Sequence, residues 1–187
     1  MTDHRRARGA HLPAAAIGLA FLLAACGGEP ASSGCPAEAP SPAPTPPFAH
    51  DPELADRIPD EVGGQPLEIQ TVCATIADPG GLPTTPQMLE AVGVELSDVT
   101  VAVTPNVGQG ENRVAVTAWR YAGAEEAAIR EAFLGLLDET GIPVEEDTIG
   151  GTPIHRAVFH VYHVAGDTLY AVLAEDAEVE EVLAGLP

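Results

Sequence analysis

Two periodicities run through residues 50–187, one of about 3.6 residues and one of 2, and they alternate along the chain. Val99, Val101 and Val103 occupy every second position of 99–104, and Val114, Val116 and Ala118 do the same in 114–121. With the loop Gly108-Gln109-Gly110-Glu111-Asn112 between them, the two stretches read as a hairpin. Further strands are expected at 67–77, 144–149, 153–164 and 168–174. The helical period is clearest in 125–138, where Ile129, Ala132, Phe133, Leu136 and Leu137 form one stripe and Glu125 and Glu126 suit the positive end of the dipole. A last helix starts at Asp176 and carries Val179, Val182, Leu183 and Leu186 on one side. Two short helices have clear start signals: Asp51-Pro52-Glu53, which runs to Arg57 before Pro59 stops it, and Thr85-Pro86-Gln87, which runs to Val92 and is closed by Gly93.

Strands that alternate apolar and polar positions are those of a sheet with one wet face. The expected class is therefore α+β, an antiparallel sheet with helices on one face. A local echo adds detail. Asp60-Glu61-Val62-Gly63-Gly64-Gln65-Pro66-Leu67 matches Asp147-Thr148-Ile149-Gly150-Gly151-Thr152-Pro153-Ile154. Each precedes strands and later a strand–helix unit, which reads as two divergent sheet-plus-helix repeats, about 50–138 and 139–187, within a single domain 50–187.

The first 49 residues carry no such pattern. Arg5, Arg6 and Arg8 precede an apolar run, Leu12–Ala25, that falls short of the roughly 20 residues a membrane-spanning helix needs. The run ends Leu23-Ala24-Ala25-Cys26-Gly27. These residues resemble the lipobox of bacterial lipoproteins. The resemblance implies a signal peptide at 1–25, cleavage before Cys26, diacylglyceryl and acyl chains on Cys26, and a lipid anchor in the membrane on the extracytoplasmic face. It covers the N-terminal segment alone and implies nothing about the domain. Residues 26–49 are rich in Pro, Ala and Ser, the composition of an extended spacer.

Composition narrows the chemistry. Hydrophobic residues make up 45% of the chain and aromatic ones only 4%, so the core is expected to be aliphatic. There is no lysine, and from Cys26 onward five arginines face 27 acidic residues. Such a surface repels phosphate backbones, which argues against nucleic acid as a partner. Lysine-based Schiff-base, P-loop and acyl-transfer chemistry are excluded as usually built. No nucleophile elbow, zinc-helix or Cys-x-x-Cys motif is present, and no cofactor is implied. The chain reads as a non-catalytic binding or interaction module whose partner is an envelope protein or a small ligand. A metal-binding lipoprotein and a hydrolase are the alternatives.

His155, His160 and His163 crowd the stretch 153–164. On one continuous strand His155 and His163 share a face about 26 Å apart, at ~3.3 Å per residue, and His160 points the other way. A bend near Phe159 brings His160 and His163 together, which makes them the metal candidates. Cys35 and Cys73 have two readings, a disulfide that pins the spacer to the sheet or Cys73 buried alone as a small hydrophobe. Trp119 and Tyr121 share one face of their strand. They form an exposed binding patch if the Val114–Val116 face is buried, and core aromatics if it is not.

Overall fold

The computed structural model describes residues 35–36, 51–76, 81–104 and 113–187. The signal segment with its lipobox, most of the spacer and the 108–112 loop lie outside the described residues. The elements are α1 (Pro52–Ala55), β1 (Glu61–Val62), β2 (Gln65–Pro66), β3 (Gln70–Cys73), α2 (Pro86–Val92), β4 (Val99–Val103), β5 (Ala115–Tyr121), α3 (Glu126–Glu139), β6 (Glu145–Ile149), β7 (Thr152–Ala157), β8 (His160–Ala165), β9 (Thr168–Leu173) and α4 (Asp176–Gly185). Seven strands form one antiparallel sheet in the order β3-β4-β5-β9-β8-β7-β6, and β1 and β2 form a separate hairpin. The class is α+β, as the periodicities indicate.

The helices, expected on one face, cover both. Ala102, Val116, Ala118, Tyr170 and Val172 point to one side and pack with Leu54 of α1, Val62 of β1, and Val179, Val182 and Leu183 of α4. Val99, Val101, Trp119, Tyr121, Leu169 and Ala171 point to the other and pack with Met88 and Val92 of α2 and Ile129, Phe133 and Leu137 of α3. The paired central strands β5 and β9 are apolar on both sides, so neither side can be left to water. Trp119 and Tyr121 are consequently core residues, 6% and 0% exposed, and the exposed aromatic patch does not form. Alternation along β5 is between two aliphatic–aromatic cores rather than between core and solvent.

The sequence echo survives as two hairpins. Gly63-Gly64 joins β1 to β2 and Gly150-Gly151 joins β6 to β7, each as a two-residue turn with φ positive at both glycines. Both turns abut α4: a Cβ on Gly150 would lie 3.1 Å from Glu180 Cγ, and the Gly63 N–H donates to Glu181 Oε2 at 2.9 Å. The helices that follow are placed differently. A rotation that carries β5 onto its antiparallel neighbour β9 keeps each face of the sheet on its own side, yet α3 and α4 lie on opposite faces. The two strand–helix units thus differ in the face that their helix covers. The expected strand 153–164 is also two strands, reversed at Val158-Phe159, with Val158 at φ 56°. Both turn residues are strand formers, so the local pattern reads straight through the reversal.

α1 is one turn long and is held by charge. The Asp51 carboxylate accepts from Leu54 N at 2.9 Å, Thr100 Oγ1 at 2.7 Å and Arg120 at 3.2 Å. Arg120 also bonds Asp167 at 3.0 Å, and Arg57 donates to Asp167 at 2.7 Å and to Thr168 Oγ1 at 3.0 Å. Thr100, Arg120 and Thr168 are register partners on three adjacent strands, so the network clamps α1 across β4, β5 and β9. On the edge strand, Cys73 is bonded to Cys35, and Cys35 N donates to Ser97 O at 3.2 Å. Of the two readings of these cysteines, the disulfide is the one that forms, and it fixes this part of the spacer to the sheet.

Two predictions follow from these restraints. Burial raises the carboxyl pKa of Asp51 and of Asp167, but hydrogen bonds and the arginines outweigh it and hold both below the ordinary range. Their stabilisation is therefore complete above the unfolded value of about 3.9 and is lost as pH falls through the folded values. Arg120→Met should cost about 3 kcal/mol at neutral pH by leaving the Asp51 carboxylate without an ion pair and Asp167 with Arg57 alone. In urea denaturation that deficit should shrink as pH falls below 4; a deficit constant with pH would assign the effect to packing of the arginine stem. Replacing the Cys35–Cys73 pair, 38 residues apart, with Ser and Ala should cost about 4 kcal/mol in the same assay by chain entropy. A loss under about 1 kcal/mol would mean that the unfolded chain is little constrained by the bridge.

Candidate functional site

Helix cover on the α3 side stops short of the β6–β7 end of the sheet. Glu126, Arg130, Leu134 and Asp138 recur every four residues and so lie along one flank of α3. They face Glu146 of β6 and His155 of β7 across a groove made of two cavities of about 450 and 280 Å³ that share Glu146 and His155. From Glu126 to Asp138 the flank runs about 18 Å at 1.5 Å per residue.

The larger cavity opens where two strands part. β7 pairs with β6 along its length, and β8 pairs with β9 as far as Ala165, but β7 and β8 pair only between His155↔Tyr162 and Ala157↔His160. Beyond His155 the gap holds His163, whose Nδ1–H donates to Pro153 O at 3.0 Å. That bond fixes the tautomer and supplies a partner for a carbonyl the ladder leaves out. His155 lines both cavities, and its Nδ1 is buried with no partner among the described residues.

The charges divide into those bound and those free. Glu126 is ion-paired with Arg130 and accepts from Gly166 N at 3.1 Å, which ties the start of α3 to the β8–β9 turn. Asp147 accepts from Arg156 at 3.0 Å and from Thr148 N at 2.8 Å. Glu146 and Asp138 have no ion-pair partner among the described residues, so the groove's free charge is negative.

The sequence-derived candidates are redistributed by the β7–β8 turn. His155 and His163, placed far apart on a continuous strand, line one cavity. His160 and His163, the metal candidates, are in different cavities; His160 lies against the Tyr162 ring, with centroids 5.8 Å apart. Among the described residues no three His, Cys, Asp or Glu side chains are grouped to hold a metal. Imidazoles, carboxylates and the Thr148 hydroxyl do meet in the larger cavity, but among the described residues no hydrogen bond joins Thr148 to a histidine or a histidine to a carboxylate. The series Glu126, Arg130, Leu134 and Asp138 was the visible signal of the groove. It was unread because an exposed helix flank looks the same whether or not a sheet faces it.

Comparison with protein-family models, with curated proteins and with solved structures finds no match.

Burial is the chief cause that lowers the His163 pKa below the ordinary 6.5; neighbouring Arg130 and His155 act the same way, while Pro153 O and Glu126 oppose them. Burial alone lowers that of His160. Both rings are neutral at neutral pH, and the stability they lend is full above pH 6.5 and declines as pH falls through their folded midpoints. Followed by imidazole C–H resonances, both should titrate with midpoints below 6.5. A His163 midpoint at or above 6.5 would mean that the groove is open to water at that ring.

Proposed function

We propose that this chain is a lipoprotein of the bacterial cell envelope, anchored through acylated Cys26, whose domain binds without catalysis an extended, positively charged segment of an envelope protein. The observation that carries the binding reading is the groove between α3 and the β6–β7 hairpin. Its 18 Å flank matches about five extended residues at ~3.3 Å each. Glu146 and Asp138 supply uncompensated negative charge, and the excess of 27 acids over five arginines from Cys26 onward steers a cationic partner toward the domain. The anchor reading rests on the Leu23-Ala24-Ala25-Cys26 box and the basic, apolar segment before it. Arg156, Arg130, Arg57 and Arg120 each hold acids of this chain, so an anionic partner would find little free positive charge.

The two parts of the reading separate in one experiment. Cys26→Ala should abolish acylation and membrane partition while leaving the groove intact. The double variant Glu146→Arg, Asp138→Arg should remain membrane-bound and lose the partner captured by cross-linking in intact cells. Membrane partition of the Cys26→Ala protein would overturn the anchor. Capture of the same partner by the charge-reversed protein would overturn the groove.

A further inference from the structure

The two edges of the seven-stranded sheet are not alike. β3 is held against its own chain: Cys73 is bonded to Cys35, and Asp51 N–H donates to Thr71 Oγ1 at 3.0 Å. β6, at the other edge, pairs with β7 alone. The turn Gly150-Gly151 closes on Ile149↔Thr152, and this sets the ladder. In a hairpin with a two-residue turn that pair exchanges both N–H···O bonds, and bonded and non-bonded pairs alternate from there. Asp147 and Glu145 therefore bond to β7, while Glu146 and Thr148 turn their backbone N–H and C=O to the free edge. Pro153, which has no N–H to give, stands opposite Thr148, a position where none is needed. The Thr148 N–H is taken by Asp147 Oδ1 at 2.8 Å. Among the described residues no backbone group pairs with the Glu146 N–H or with the Glu146 and Thr148 carbonyls on that edge.

The acids of β6 fall on both faces of the sheet. Glu146 faces the groove beside its register partner His155. Ile149 packs with the α4 core, and Arg156 bridges Asp147 to Asp176 at the start of α4, so the period of two places Glu145 on the α4 side. Glu145 and Glu146 are exposed and have no ion-pair partner among the described residues. Unpaired backbone on a sheet edge is a template for another strand, and the acids decide which strand is accepted. A second copy of β6 would set Glu145, Glu146 and Asp147 against acids of the same kind, which is repulsive.

We infer that the cationic segment proposed for the groove adds to the free edge of β6 as a further strand, carrying two adjacent basic residues, one beside Glu146 on the groove side and one beside Glu145 on the α4 side. Successive side chains of a strand point to opposite faces, so neighbours in sequence, rather than every second residue, meet the two acids. Main-chain bonds to β6 give affinity, and the basic pair gives specificity. The inference rests on the reading of the groove's partner as an extended cationic segment, and it adds the place and pairing of that segment's backbone.

The probe is the peptide acetyl-Thr-Val-Arg-Arg-Val-Thr-amide, titrated into the ¹⁵N-labelled mature protein. The Glu146 amide should move in a saturable way and gain protection from hydrogen exchange. The same peptide N-methylated at its central residues keeps its charge and loses its main-chain donors, and it should bind about tenfold more weakly. The isomer acetyl-Thr-Arg-Val-Arg-Val-Thr-amide puts both arginines on one face and should bind about threefold more weakly, the worth of one cross-strand pair. Glu146→Gln removes the charge and keeps the N–H, and should weaken the probe by a similar factor. Glu146→Pro also removes the N–H on the free edge and should abolish binding, while the Asp147 and Ile149 amides, which face β7, stay protected. Equal binding of the N-methylated peptide, or Glu146→Pro behaving as Glu146→Gln, overturns the strand and leaves the groove its cationic partner. A Glu146 amide unmoved at millimolar probe overturns it as well and leaves the acids as a guard against self-pairing. Protection of the Glu146 amide that is indifferent to Asp138→Arg keeps the strand and removes the groove from the reading.

Discussion

The architecture depends on one constraint: the two strands at the centre of the sheet are apolar on both faces. β5 sends Val116 and Ala118 one way and Trp119 and Tyr121 the other, and all four are nearly or fully buried. β9 repeats this with Tyr170 and Val172 against Leu169 and Ala171. At roughly 25 cal/mol per Å² of apolar surface, neither face can be left wet. The chain meets the requirement with two helices a side, α1 and α4 against α2 and α3. Cover of that extent reaches the middle of a seven-stranded sheet but not its whole width. The groove beside α3 is the remainder, located at the end of the sheet where β6 is almost wholly polar and asks for no lid.

The few positive charges are placed to hold that cover down. Arg120 and Arg57 fasten α1 across three strands through Asp51 and Asp167. Arg130 pairs with Glu126, which in turn holds the β8–β9 turn to the start of α3. Arg156 bridges Asp147 of β6 to Asp176 at the start of α4, at 3.0 and 2.9 Å. Two of the four helices, α1 and α4, are thus tied to the sheet through an arginine and its acid, and α3 through Glu126 alone. Exposed ion pairs contribute little singly, typically under 1 kcal/mol, so the part-buried Arg120 cluster is the one expected to matter for stability. The same use of arginine leaves the remaining acids uncompensated, which makes the free charge of the groove negative rather than mixed.

Much of this was legible in the sequence. The helix stripes, the proline and glycine stops and the alternation of β4 and β5 report local geometry, and the elements formed where they indicated. What the pattern could not report was long-range. Alternation along β5 looks the same whether the second face meets water or a second helix layer, because Trp119 and Tyr121 satisfy either reading. The Val158-Phe159 reversal was invisible because both residues favour strands, and that reversal decides which histidines meet. The Gly63-Gly64 and Gly150-Gly151 echo was legible as turn chemistry. A shared hairpin does not constrain the face on which a later helix lands, and α3 and α4 land on opposite faces. Cys35 and Cys73 were readable as a possible pair, but only the sheet register, which puts Cys73 on an edge strand beside Ser97 and Val99, brings Cys35 within bonding range.

α3 is the wall common to the groove and to a separate cavity of about 170 Å³. Its Leu134 and Asp138 line the groove, Phe133 and Leu137 line the cavity, and Ile142 just beyond its end lines both. The helix is held at its start by the Glu126–Gly166 bond and along its length by Phe133, whose ring lies 4.8 Å from that of Tyr162. Tyr162 is itself the register partner of His155, the residue on the groove floor. A displacement of α3 large enough to widen one space must therefore move the wall of the other, and close packing leaves no slack to absorb it. The groove and the cavity are separate spaces but mechanically joined through one helix and one strand pair.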